Sequence, residues 1–202
     1  MRYPYLVEFR LCGEPRRVAR GLILEIYKRF RVTGNVKRRP VPHVTLYGPF
    51  QAGSARRVAE SIREAARGFG PFGYGIDGFD SFDKKTGWFS RKRNVVYLGI
   101  SAGSDMKRFR SRLHGRLAGI TRPKDPAIER KDPFPFHVTL AIRDIDEKFD
   151  EIWQYLMSAD TSISGEFCGI TLLRDGKILC EYDLESKRLL GRRQALRRRC
   201  AS

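Results

Sequence analysis

Histidine is scarce in this chain, which has three in 202 residues. Long apolar runs are missing, so no segment can span a bilayer as a helix and no membrane association is expected. The opening residues, Met1-Arg2-Tyr3-Pro4-Tyr5-Leu6-Val7-Glu8, meet charge too early for a secretory signal, which predicts a cytoplasmic protein. The four cysteines (Cys12, Cys168, Cys180, Cys200) lie far apart, with no Cys-x-x-Cys pair and no histidine nearby. That spacing argues against a structural zinc site and gives no disulfide framework, so reduced thiols are expected.

Acid is also in short supply. There are 23 Asp and Glu against 40 Lys and Arg, a net charge of +17. Residues 185–202 hold seven Lys/Arg and one Glu, or +6, which leaves 17 − 6 = +11 on the other 184 residues. The folded body is thus basic in its own right, and a polyanionic partner is expected for it. The tail, with Arg197-Arg198-Arg199, reads as a nonspecific nucleic-acid arm or a disordered end, with some helical potential.

A strand–helix–strand–helix–strand order occurs twice. The pattern predicts strands over 3–12, 41–50 and 72–80 with helices over 15–31 and 54–70, then strands over 95–101, 135–142 and 162–172 with helices over 104–120 and 144–159. A hairpin near 171–184 follows. Ser54 and Ser104 are placed to cap helices, and Asp144 and Asp146 supply an acidic start to another. The expected organisation is one bilobal domain over 1–184, with duplicated halves at about 1–80 and 95–172, and a basic tail over 185–202.

Two of the three histidines begin an identical tetrapeptide: His43-Val44-Thr45-Leu46 and His137-Val138-Thr139-Leu140, 137 − 43 = 94 residues apart. By average residue usage, a given histidine is followed by Val-Thr-Leu roughly once in several thousand cases. A lone strand histidine is ordinarily a half-buried ring with satisfied nitrogens, and threonine suits any strand. Two copies at equivalent places in a repeat call for another reason. Residues i and i+2 of a strand share a face, so His43 with Thr45, and His137 with Thr139, project together while the aliphatic residues point into the core. His114 sits beside a helical apolar stripe and is expected to be structural or surface.

The paired His-x-Thr motifs resemble the 2H phosphoesterase superfamily. His43-Val-Thr-Leu-Tyr-Gly-Pro-Phe50 and Phe136-His-Val-Thr-Leu-Ala141 are most similar to its RNA 2′,3′-cyclic phosphodiesterase branch, also called RNA 2′-5′ ligases, over roughly 1–184. The resemblance implies an α+β fold: two pseudo-symmetric lobes of antiparallel sheet, helices outside, and a central cleft. It implies a monomer without cofactor or metal that acts on RNA with a 2′,3′-cyclic phosphate end, tRNA fragments among them. Family members often carry an arginine directly after the second Leu-Ala. Here Ile142 intervenes and Arg143 follows, which turns that side chain to the opposite strand face.

The chemistry fits the motif. A neutral imidazole can take a proton from water while an imidazolium protonates the leaving ribose oxygen, and the threonine hydroxyls can hold the non-bridging oxygens. The resemblance favours His43 as acid and His137 as base, opening the ring to a 2′-phosphate, with 2′-5′ ligation as the reverse. Basic stretches precede both motifs, including Arg38, Arg39 and Arg130, and are expected to rim the cleft. Residues 80–93 mix aromatics with cations, and Trp88 there is a candidate to stack on a single strand. Two other readings stay open: a 2H enzyme for a small cyclic nucleotide-type phosphate, and a basic RNA-binding protein without catalysis.

Overall fold

A computed structural model describes residues 2–34, 41–85, 91–159 and 163–197. Arg38, Arg39, Trp88, Arg198, Arg199 and Cys200, all singled out above, lie outside the described residues. The first half runs β1 (Tyr5–Arg10), α1 (Gly13–Phe30), β2 (His43–Ala52), α2 (Ala55–Ala65) and β3 (Phe72–Lys85). The second runs β4 (Arg91–Ala102), α3 (Ser104–Ala118), β5 (Thr121–Pro123), α4 (Pro126–Glu129), β6 (His137–Ile142), a 3₁₀ turn (Asp146–Lys148) and α5 (Phe149–Met157). It continues as β7 (Ser164–Phe167), β8 (Gly169–Arg174), β9 (Lys177–Asp183), β10 (Leu189–Gly191) and α6 (Arg192–Arg197).

The architecture is α+β. One antiparallel sheet runs in the order β10-β9-β8-β1-β2-β6-β4-β3-β7, with β5 added beside β2. The two motif strands, β2 and β6, are neighbours at its centre. Around them the halves trade strands: β3, which ends the first half, pairs with β4, while β8 from the second half pairs with β1. The expected single strand over 162–172 is therefore two. It breaks at Cys168, so that β7 joins β3 at one edge and β8 joins β1 on the other side.

Alternation fixes which face of the sheet is covered. On β1, Val7 and Phe9 are fully buried, and across the sheet Val44, Leu46, Val138 and Leu140 are at most 1% exposed. Helix α3 lays Met106, Phe109, Leu113 and Leu117 into this layer, and Phe9 stacks on Phe167 at 4.6 Å between ring centroids. Ser54 caps α2 as expected, its hydroxyl accepting from Arg57 N–H at 3.3 Å. Ser104 does not cap α3: the chain enters the helix one residue earlier, Gly103 is the cap, and Ser104 lies inside the first turn. Asp144 does not start a helix either. Its carboxylate accepts from the Thr33 amide at 2.8 Å, the Thr33 hydroxyl at 2.9 Å and the Gly34 amide at 3.1 Å. Burial pushes that carboxyl up, but these bonds outweigh it and hold the group below the usual carboxylate range.

The expectation of reduced thiols fails at Cys12, which is disulfide-bonded, whereas Cys168 and Cys180 keep their thiols. Sequence spacing carried no signal for this because disulfide partners are chosen by the fold. Among the described residues no helix is long and apolar enough to cross a membrane.

Candidate active site

Both motifs show the same local pattern, half-buried His and Thr alternating with buried Val and Leu. Strands β2 and β6 are antiparallel, with Val44 paired to Val138. One residue to either side, that register sets His43 across from Thr139 and Thr45 across from His137. Each histidine thus faces the other motif's threonine, and the local two-fold passes through the valine pair.

The imidazoles are held alike at one nitrogen. His43 Nδ1 lies 2.9 Å from the Val41 carbonyl, and His137 Nδ1 lies 2.7 Å from the Pro135 carbonyl. A carbonyl only accepts, so both Nδ1 atoms carry hydrogen, and each Nε2 is left as the atom that can exchange a proton in the cleft.

At Nε2 the two rings differ. His43 Nε2 sits 3.8 Å from Glu8 Oε2, with the His43 side chain 38% exposed and the Glu8 side chain 4% exposed. Burial pushes the Glu8 carboxyl up; His43 and Arg10 pull it down, and Glu181 adds to the rise. His137 instead has aromatic walls. Phe82 meets it edge-on and Tyr97 lies tilted against it, each with ring centroids 5.0 Å away. Tyr97 is fixed by its hydroxyl, which donates to Asp80 Oδ2 at 2.8 Å. Burial lowers the His137 pKa; the Pro135 carbonyl opposes this, and His43 adds to it. One ring therefore has a buried carboxyl neighbour, and the other is biased toward its neutral form.

Glu8, Tyr97 and Asp80 are not among the residues expected from sequence, and Phe82 is expected there only as an aromatic of the 80–93 segment, not as a wall of His137. They arrive from β1, β3 and β4, strands whose place beside the motifs depends on sheet order. The register explains their arrival: Glu8 pairs with Thr45, and Tyr97 pairs with both Thr139 and Asp80. Within the sequence, only the alternation of Glu8 and Arg10 with buried Val7 and Phe9 hinted at a polar face on β1.

The basic stretch before the second motif is not a simple rim loop. Arg122 on β5 pairs with Gln51, which is 51 − 43 = 8 residues along β2 from His43 and so roughly 26 Å away at strand rise. Arg130 is exposed and follows Glu129, whose carboxylate takes the Gly48 amide at 2.7 Å, 48 − 43 = 5 residues beyond His43. Arg143 is exposed with φ +83°, past the end of β6. His114 is half-buried, 6.1 Å from the Tyr47 ring.

Residues 18–178 match the family model described as the 2′-5′ RNA ligase superfamily. The chain belongs to the 2′-5′ RNA ligase superfamily, the 2H phosphoesterases. No curated protein matches it. Among solved structures, TT0787 of Thermus thermophilus is 17% identical, with a TM-score of 0.60 over 90% of this chain and 97% of its own. That likeness shows the 2H phosphoesterase fold. Kluyveromyces marxianus Usb1 is 8% identical over 94% of this chain and 98% of its own, with a TM-score of 0.49. E. coli LigT, solved with 3′-AMP, is 17% identical over 92% and 90%, with a TM-score of 0.44. The family match stops at residue 178 and leaves most of β9, β10 and α6 outside it.

Proposed function

We propose that this 2H phosphoesterase opens 2′,3′-cyclic phosphate ends of RNA to a 2′-phosphate, with His137 as general base and His43 as general acid. The observation that carries the reading is the crossed register about Val44 and Val138, which pairs each histidine with the opposite threonine. A phosphate on that axis has a proton-exchanging Nε2 on either side, as an in-line displacement requires. Burial between the aromatic walls favours the neutral form of His137 that a base needs, which leaves His43, with the Glu8 carboxyl 3.8 Å from its Nε2, as the acid.

His137 Nε2 takes a proton from water as its oxygen attacks phosphorus. The P–O3′ bond breaks, and His43 Nε2 gives its proton to O3′, leaving a 2′-phosphomonoester and a 3′-hydroxyl. Exchange with solvent restores both rings. Thr45 and Thr139 hydroxyls hold the non-bridging oxygens, whose charge grows in the transition state. With a 5′-hydroxyl in place of water, the same steps in the same direction form a 2′-5′ bond and free the 3′-hydroxyl, and their reverse cleaves it. The net charge of +17 suits a substrate with several phosphates.

The test is to incubate an oligoribonucleotide ending in a 2′,3′-cyclic phosphate with the protein in EDTA and map the product end. A 2′-phosphate is expected. His43→Ala and His137→Ala should each lower the rate by ~10²–10⁴. An intact cyclic end at every pH, or near-normal turnover in either variant, would overturn the reading.

A further inference from the structure

The basic C-terminal segment is expected from sequence to be a nonspecific nucleic-acid arm or a disordered end, with some helical potential. Its first part is instead built onto the sheet. Strand β10 extends the edge by pairing with β9, and the Gln194 side chain accepts from the Gly191 amide at 3.1 Å as the chain turns into α6. Ala195 is 1% exposed, so this side of α6 is packed down.

What holds it there is Arg10. The Arg10 guanidinium donates to the Ala195 carbonyl at 3.1 Å, to Thr171 Oγ1 at 3.2 Å, and to Glu181 from both Nε and Nη2. Arg10 is also the cross-strand partner of His43, and opposite residues of an antiparallel pair share a face. Helix α6 therefore lies on the same sheet face as the His/Thr quartet, one arginine side chain away from it.

With Ala195 turned to the sheet, helical geometry places Arg193 and Arg197 on the outward side as an i, i+4 pair. Arg192 flanks them, and all three are exposed. Among the described residues none of the three has an ion pair with an acid. Glu181 behind them is engaged by Arg10, and the Asp183 carboxylate accepts from the amides of Glu185 and Ser186. Guanidiniums bind phosphate oxygens in bidentate fashion, and cations spaced along one face suit a run of phosphates better than a single one.

We propose that α6 forms a wall of the active site that binds the backbone phosphates of a single-stranded RNA whose cyclic end lies in the His/Thr quartet. This rests on the function proposed above and sharpens its substrate class: a strand several nucleotides long, in preference to a free cyclic nucleotide.

The experiment compares wild type with the double variant Arg193→Ala/Arg197→Ala, both sites being exposed and outside the core. Two quantities are read. The first is kcat/KM for a decaribonucleotide 2′,3′-cyclic phosphate divided by that for cytidine 2′,3′-cyclic phosphate. This ratio is expected to exceed one in wild type and to fall about tenfold in the variant. The second is fluorescence-anisotropy binding of the same decamer with an unreactive 3′-phosphate, measured over a salt series. Losing two phosphate contacts at about 0.7 each should make the log–log salt slope shallower by roughly 1.4. An unchanged ratio, an unchanged slope, or a wild type that does not bind the decamer would overturn the inference. If no cyclic phosphate is opened but the decamer binds through α6, the cyclic-phosphate reading falls and the RNA wall stands.

Discussion

His43 Nε2 lies 3.8 Å from the buried Glu8 carboxylate, whereas His137 has no acid at that distance among the described residues and is flanked by Phe82 and Tyr97. The two motifs are identical in sequence, so it is their neighbours that differ, and the proposed division into acid and base rests on that difference. Arg10 on the same strand and Glu181 on β9 also face Glu8, and their opposite charges partly cancel there.

Glu8→Gln keeps the shape and removes the carboxyl 3.8 Å from His43 Nε2. With His43 as the proposed acid, kcat/KM on a 2′,3′-cyclic phosphate is expected to fall about tenfold, or about 1.4 kcal/mol of barrier. The urea midpoint, read beside it, separates this loss from a loss of folding. An unchanged kcat/KM, with His43→Ala still inactive, would leave Glu8 as packing alone.

With His137 as the proposed base, the acid limb of the pH–kcat/KM profile is expected to follow its titration. Burial lowers its pKa, so the folded protein resists protonating it, and the base is ready below the ordinary imidazole value of about 6.5. The ascending limb should therefore have its midpoint under 6.5. By linkage, the same group adds stability that is present above the unfolded pKa and lost as pH falls through the folded one. Phe82→Leu lets water nearer the ring, so it should raise the midpoint toward 6.5. A midpoint that stays put, or drops, in Phe82→Leu would show that the aromatic wall does not set it.

Much of this was legible in the sequence because it depends on local periodicity. A period of two put His and Thr on one face in both halves, and a period of 3.6 gave the buried stripe of α3. The neighbours of the quartet were hidden because strand order is a tertiary property. Nothing near Glu8 in sequence says that it will pair with Thr45, and nothing near Tyr97 says that it will face Thr139. The split of 162–172 was missed for the same reason, since each piece answers to a different sheet neighbour. Helix α6 illustrates a third kind of gap: its seven-cation surroundings suggest a nucleic-acid arm or disordered end with helical potential, while its docking depends on β10 pairing, Ala195 burial and the Arg10 contact.

The segment before the second motif is pinned to α3 by a buried ion pair and to the first motif's strand by a hydrogen bond from Gly48. Arg110 on α3 donates to Glu129 Oε2 at 2.6 Å and to the Glu129 carbonyl at 3.1 Å, and its guanidinium lies 4.1 Å from the centroid of the Phe134 ring. Both charged side chains are at most 5% exposed, and Glu129 also takes the Gly48 amide of β2. Burial pushes the Glu129 carboxyl up and the Arg110 guanidinium down, so each charge relies on the other. Arg110→Met fills the space but strands a buried carboxylate, and it is expected to cost about 3–5 kcal/mol. Glu129→Gln keeps an acceptor for Gly48 and should cost less. Pairing Arg110→Met with Glu129→Gln should recover part of the loss, because the uncompensated charge is gone. Urea midpoints of the four proteins measure this. Strictly additive losses, or an Arg110→Met cost below about 1 kcal/mol, would mean that the pair is not what ties α4 to α3.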